Sequence, residues 1–250
     1  MSGPVTCTIV DGLAHVELNR PASANALDIP LALALHEVVT TIAADDAVRA
    51  VLVTGAGKRF CAGGDVGSFV AADDPAEHLH ELASQADAAV RALEALAKPV
   101  VAVVHGAVAG AGLAVMLACD LVVAAEGTKF AFAYPGIGLS PDCGVSYLLP
   151  RAIGSHRALG FALGGRPVDA ATAYEWGMVT EVAEDAFGRG EELARSLADG
   201  PAVALGATRR LLRAGWEAGR VATGAEEARS IAELVAGAEA RELIERFLAR

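Results

Sequence analysis

Positive charge is scarce in this chain. Lysine and arginine number 20 against 31 aspartates and glutamates, for a formal net charge of −11. Such an acidic chain has no basic face to offer a nucleic-acid backbone. An anionic small ligand remains open to it, because a few local cations and backbone amides can hold a phosphate. Aromatics are only 5% of the residues, while 27 glycines point to tight backbone packing. The four cysteines (Cys7, Cys61, Cys119, Cys143) lie far apart with no C-x-x-C pair, which argues against a disulfide framework or a zinc site. Reduced thiols in a cytoplasmic protein are the simpler reading. The start, MSGPVTCTIVDG, lacks the basic flank and apolar centre of a signal peptide. The longest apolar stretch, Gly110 to Ala125, contains Asp120 and reads as core, so no membrane partner is expected. There is no H-E-x-x-H, and no histidine pairs with a serine or cysteine in a nucleophile motif, so metal catalysis has no support.

What the chain does have is apolar residues in quantity, 54% over 250 positions, enough for a sizeable core. It opens like a hairpin: VTCTIV, the turn Asp11-Gly12, then AHVELN. Residues 31–43 read as a helix, followed by the β-branched run Val48 to Thr54. Leu79, Leu82, Ala86, Ala89, Leu93 and Leu96 recur at helical spacing over 76–97, and Pro99 ends that pattern. VVAVVH does not alternate and reads as a fully buried strand; a short apolar helix to about Cys119 and the strand LVVAAE follow. Beyond Ile153 the expectation is helices over 155–164, 169–176, 184–198, 201–214 and from 223 to the end. Repeated strand-then-helix units make this an α/β protein. Composition shifts near residue 190 towards Arg- and Glu-rich helices, suggesting a core over 1–190 and a helical region over 191–250.

Three segments carry candidate chemistry. In GAVAGAG, Gly110 and Gly112 flank Ala111 at a helix start, where unpartnered amides could face a phosphate or a developing oxyanion. A dinucleotide fingerprint would need a third glycine where Val115 stands, and a purely structural close-packing turn remains an equal alternative. In GKRFCAGGDV, Gly63-Gly64 exposes backbone beside Lys58 and Arg59; an ordinary polar loop would look the same. In FAYPGIGLSPDCGVSYLLP, residues 132–150, Asp142 is the one carboxylate and no cation accompanies it. Taken alone, Asp142 reads as the N-cap of the helix that follows. His105 closes a buried strand, and His78 and His80 are expected to face solvent.

Together, five segments resemble the crotonase superfamily, the enoyl-CoA hydratase/isomerase family. They are N-R-P-x-x-x-N-A-L (Asn19 to Leu27), F-C-A-G-G-D (Phe60 to Asp65), and K-P-V…H-G-x-x-x-G-A-G…C-D (Lys98 to Asp120). P-x-x-G-x-x-x-L-P-R-x-I-G (Pro141 to Gly154) and A-x-x-W-G-M-V (Ala173 to Val179) continue the match over nearly the whole chain. The resemblance implies a spiral of repeated ββα units with C-terminal helices in trimer contacts, as a homotrimer or dimer of trimers. It implies an acyl-CoA thioester substrate, with coenzyme A entering only as part of that substrate and no separate cofactor. It assigns the oxyanion-hole amides to Gly64 and Ala111. Lys58 and Arg59 would lie near the phosphates, with Ala62, Asp65, Gly110 and Tyr134 among the substrate contacts. Pocket shape would be set by residues 66–85.

Departures from the family pattern direct the choice of reaction. The two glutamates with which hydratases of the family handle water fall at Ala114 and Tyr134. Alanine transfers no proton, and a tyrosine near its reference pKa is a poor base at neutral pH. Asp142 matches a third position, where isomerases acting on ring-epoxyphenylacetyl-CoA carry an aspartate in similar P-D-C-G and L-L-P-R surroundings. Halobenzoyl-CoA dehalogenases also carry an aspartate there, with a separate base for which no histidine is assignable from sequence. One acid suffices for a proton shuttle, so the expectation is an isomerase that shifts a double bond, or rearranges an epoxide, with Asp142 as acid and base. The alternatives are a hydratase with non-standard acids and a non-catalytic acyl-CoA-binding homologue. A nicotinamide dehydrogenase is a third reading.

Overall fold

The computed structural model describes residues 3–249. Two sheets meet in it. The larger has six strands in the order β1-β2-β3-β4-β6-β9: Val5–Val10, Leu13–Leu18, Ala50–Gly55, Val100–Val104, Leu121–Ala125 and Glu181–Ala183. The β1–β2 pair is the expected antiparallel hairpin, and every later pair in this sheet is parallel. Its inner strands β3 and β4 are buried along their whole length, which is why their sequences do not alternate. The smaller sheet holds β5 (Ala107–Ala109), β7 (Lys129–Ala131) and β8 (Val168–Asp169). Isolated bridges Leu27–Gly64 and Cys61–Val108 carry its edge towards the start of the chain.

The repeat follows from this pairing. Each turn of the chain gives one strand to the large sheet and a short one to the small sheet, then a helix. Thus β4 and β5 precede α4 (Ala111–Leu117), and β6 and β7 precede α5 (Val145–Ile153). In two earlier turns the short strand has shrunk to a bridge, and the helices are α1 (Ile29–Ala44) and α3 (Pro75–Ala95), with α2 (Val66–Val70) interposed. This is the ββα spiral that the resemblance implied. Strands of two or three residues carry too little pattern to be read locally, and β5, β7, β8 and β9 were not foreseen.

Helices α6 (Ser155–Gly164) and α7 (Ala170–Glu175) follow, and then α8 (Ala186–Ala198). Ala186, Ala194 and Ala198 of α8 pack on Leu13, Ala50, Leu52, Val101 and Val103 of the large sheet. Sheet packing therefore continues to residue 198, past the expected boundary at 190. The last stretch is α9 (Ala202–Ala214), α10 (Arg220–Val235) and α11 (Ala238–Leu248). The single helix expected from 223 onward is two, because the chain turns at Ala236–Gly237, where Gly237 has extended backbone and caps α11.

Two braces fix the parts that carry the site. Asn25, fully buried, accepts from the Arg20 amide at 2.8 Å and donates to the carbonyls of Ala56 and Arg59, each at 2.8 Å. Arg20 reaches the carboxylates of Asp28 and Asp65, both at 3.0 Å. Asp28 also caps α1 by accepting from Leu31 N–H at 2.9 Å. The Asn-Arg-Pro motif thereby clamps the loop that holds Gly64. The second brace is Arg209, 7% exposed, which donates to Asp120 at 2.6 Å and to the carbonyls of Glu94 at 2.7 Å and Leu93 at 2.9 Å, as well as that of Leu96. It ties α9 to the C-terminal end of α3.

Removing one member of a buried network leaves its partners desolvated and unpaired. Asn25→Ala should lower stability by about 2 kcal/mol, and hydrogen exchange of the amides of residues 60–65 should quicken. Arg209→Ala should cost about 3 kcal/mol, read as a fall in the denaturant midpoint.

Candidate active site

Two strand-to-helix turns press together at the junction of the sheets. Gly112, in the first turn of α4, lies against the Cys61 backbone so closely that an added Cβ would sit 2.5 Å from the Cys61 carbonyl oxygen. Its absent side chain therefore serves protein packing, the structural alternative left open for this turn. Gly110 differs: its φ of 50° and ψ of −126° suit only glycine, and it lines a cavity. Ala109 N–H donates to the Cys61 carbonyl at 3.0 Å, fixing the two turns side by side.

This contact leaves two amides free. Gly64 pairs with Leu27 through its neighbours, since Leu27 N–H donates to Gly63 at 2.8 Å and Asp65 N–H donates to Leu27 at 2.8 Å. Its own N–H donates to no acceptor among the described residues. The same holds for Ala111 N–H, the first of α4, because a helix's opening amides have no carbonyl behind them.

The cavity holds about 480 Å³. Ala62, Gly63, Gly64 and Gly110 form one wall, and Tyr134, Leu139, Ser140, Pro141 and Asp142 another. A third comes from Val66, Phe69, Ala76, Leu79, His80 and Ala83, within the stretch 66–85 expected to shape the pocket. Asp142 is the single carboxylate among these lining residues, and it faces mostly apolar groups. A larger hollow of about 570 Å³ lies between α9, α10 and α11. Its charged side chains are already paired: Glu239 with the amides of Val203 and Ala204 at 3.4 and 3.2 Å, Glu233 with Arg229, and Arg210 with Glu226.

Asp142 does not cap α5. Gly144 holds that position, and the chain reaches it through two left-handed residues, Cys143 at φ 51° and Gly144 at φ 73°. That turn directs the Asp142 carboxylate away from the helix, where Oδ1 accepts from the Tyr134 hydroxyl at 2.6 Å. Burial first, and then the adjacent Asp142 charge, push the Tyr134 hydroxyl well above its ordinary pKa. It is a donor that stays protonated, and no base. Burial likewise drives the Cys61 and Cys119 thiols up to about 12 and the Cys143 thiol well above its usual value, so none is a thiolate nucleophile at neutral pH.

The other candidate residues separate. Ala62, Gly64, Gly110 and Tyr134 line the cavity, and Ala111 stands directly behind Gly110. Asp65 does not: its carboxylate is held by Arg20, so it braces the loop. Lys58 and Arg59 are exposed on the preceding turn, outside the cavity wall. Ala114 is fully buried in α4. Two histidines differ from their expected surroundings. His80 is exposed as expected but stands on the cavity wall, whereas His78 is half-buried with Nε2 enclosed and unpartnered. Helical spacing could have flagged His80, since it adjoins Leu79 and lies on the side of α3 that bears Ala76 and Ala83. Among the described residues no three His, Cys, Asp or Glu side chains gather as a metal site, and no helix is long and apolar enough to cross a membrane.

Comparison with known proteins identifies the family. The family model for enoyl-CoA hydratase/isomerase matches residues 8–250. A 1,2-epoxyphenylacetyl-CoA isomerase of Escherichia coli (strain K12) is 39% identical over 207 residues, 78% of this chain and 78% of that protein. A probable enoyl-CoA hydratase of Rhodobacter capsulatus is 36% identical over 246 residues, 96% of this chain and 93% of its own. The crystal structure of a putative enoyl-CoA hydratase/isomerase from Mycobacterium abscessus superposes with a TM-score of 0.94 at 36% identity, covering 98% of this chain and 96% of that one. With the two-sheet spiral, the paired free amides and a family match over almost its full length, the chain belongs to the enoyl-CoA hydratase/isomerase family.

Proposed function

We propose that this protein isomerises an acyl-CoA thioester, shifting a double bond along the acyl chain without adding water. The observation that carries this reading is the acid inventory of the cavity: Asp142 is its one carboxylate, while the family resemblance puts the two hydratase glutamates at Ala114 and Tyr134. A shuttle needs one group that accepts a proton at one carbon and returns it at another. Adding water needs a group to activate the water and a second to protonate the carbon.

In this mechanism the thioester carbonyl sits between the Gly64 and Ala111 amides. Asp142 removes a proton from the acyl chain, and the C–H electron pair moves into the conjugated system, placing negative charge on the carbonyl oxygen. The two amides hold that enolate, each such donor contributing typically about 3 kcal/mol in the transition state. The electrons return as Asp142 delivers the proton to a different carbon, and the double bond has moved. The same acid and the same oxyanion hole suit the rearrangement of an epoxide, the substrate named for the Escherichia coli relative. Lys58 and Arg59, exposed beside the loop that carries Gly64, are the cations available to the phosphates of coenzyme A.

The helical C-terminal region supports a second element of the reading, association of several copies. Val221, Phe247 and Leu248 are 87%, 76% and 76% exposed, apolar side chains that a neighbouring subunit would cover. Light scattering on the purified chain should give a mass that is a multiple of three subunits of 25.4 kDa. A monomer would remove this element.

The function itself is tested by offering 2-enoyl- and 3-enoyl-CoA panels, aliphatic and phenylacetyl-derived, to wild type and Asp142→Asn. The expected result is a product of unchanged mass and altered retention in wild type, falling by about a hundredfold or more in the variant. A product heavier by one water that survives in Asp142→Asn would make the protein a hydratase. Binding of acyl-CoA with no turnover in either protein would make it a non-catalytic binder.

A further inference from the structure

We infer that Tyr134 is the positioning residue for Asp142: its hydroxyl holds Oδ1 and leaves Oδ2 as the single oxygen that takes the proton and returns it. The inference rests on the reading of Asp142 as the proton handler. Its basis is geometric. Tyr134 Oη lies 2.6 Å from Oδ1, and among the described residues no N–H or other O–H donates to Oδ2; the neighbouring Cys143 thiol is the one further donor beside the carboxylate. Both side chains line the cavity.

Tyr134 is itself well anchored. It begins the 3-10 turn Tyr134–Ile137, and its carbonyl accepts from Leu139 N–H at 3.0 Å. Its ring packs on Phe132 at 5.3 Å between centroids, and Phe132 packs in turn on Phe161 at 6.3 Å. On the other side the ring faces Gly110, where an added Cβ would lie 3.9 Å from Tyr134 Cζ. The phenol thus runs from the turn that presents the Ala111 amide to the acid. It fixes the carboxylate relative to the oxyanion hole, the two groups that must act on one substrate.

A carboxylate on a single Cβ rotates, and its two oxygens exchange places. A shuttle that serves two carbons on one face of a planar enolate works best from one fixed oxygen. The hydrogen bond to Oδ1 persists through both stages, because Oδ1 still accepts once Oδ2 carries the proton. The hydroxyl remains a donor throughout, since burial and the adjacent charge keep it protonated. A packing role alone would be met by phenylalanine, which fills the same space.

The test is Tyr134→Phe, which keeps the ring and removes the donor. Thermal unfolding confirms that the variant is folded. We expect kcat to fall roughly ten- to a hundredfold with KM nearly unchanged. A donated hydrogen bond favours an ionised carboxylate, so its loss should move the acid limb of the kcat profile to higher pH. The other titratable groups about Asp142 are the protonated Cys143 thiol, His80 across the cavity and Asp87, whose carboxylate approaches Gly144 from α3. The same profile is therefore recorded in His80→Gln and Asp87→Asn backgrounds, and the shift caused by Tyr134→Phe should persist in both. In D₂O the isomerised product should carry more solvent deuterium in the variant, as the freed carboxylate exchanges before it returns the proton. Replacing Tyr134 with 3-fluorotyrosine, which preserves the donor, should restore kcat and the label pattern.

Wild-type kcat, pH profile and label retention in Tyr134→Phe would overturn the proposal. So would a loss confined to KM, which would make Tyr134 only a wall of the cavity. Asp142→Asn assayed in parallel separates the two levels. An inactive Asp142→Asn beside an unaffected Tyr134→Phe removes the positioning role alone, whereas an active Asp142→Asn removes the proton-handler reading beneath it.

Discussion

The active-site half of this molecule depends on one contact between backbones. The turn at Cys61 and the turn at Gly110–Gly112 lie close enough that no side chain fits between Gly112 and the Cys61 carbonyl. Hydrogen bonds from Phe60 to His105 at 3.0 Å and from Ala109 to Cys61 at 3.0 Å lock the approach. The two turns belong to successive ββα units, so their union is where the small sheet is stitched together. Gly64 and Ala111 each follow a glycine whose backbone is hydrogen-bonded elsewhere: Gly63 accepts from Leu27 N–H at 2.8 Å, and Gly110 N–H donates to the Ala131 carbonyl at 3.2 Å.

The surrounding charges serve that seam. Arg20 joins Asp28 at the start of α1 to Asp65 at the start of α2, so a cation on the first loop anchors two helices and the Gly64 turn between them. The arrangement holds Asp65 away from the cavity and leaves Asp142 as its acid. The Tyr134 hydroxyl donates to one oxygen of that acid and leaves the other available for chemistry.

Much of the plan was legible because it is local. The Asp11-Gly12 turn could be read because both residues take positive φ, as a two-residue hairpin requires. The buried strands β3 and β4 announced themselves by unbroken apolar runs, and the five motif segments led to the spiral and to Gly64 and Ala111. The failures share a cause. Asp142 preceding a helix has the pattern of an N-cap, but left-handed backbone at Cys143 and Gly144 turns its carboxylate elsewhere. Asp65 in F-C-A-G-G-D looked like a substrate contact, yet its partner lies 45 residues upstream. His80 has a polar side chain in a charged stretch, which masked the helical spacing it shares with Ala76 and Ala83 on the cavity wall.

By itself, then, the sequence determined the longer helices, the buried strands and the glycines at close approaches. Those are properties of residue type and short-range spacing, which propensity, φ preference and burial dictate within a few positions. Tertiary structure alone decided that Asp65 is neutralised by Arg20 and turned from the cavity. It alone brought the Tyr134 hydroxyl to Oδ1 of Asp142. A side chain's direction and its hydrogen-bond partner depend on what the rest of the chain packs against it, and no local pattern encodes that.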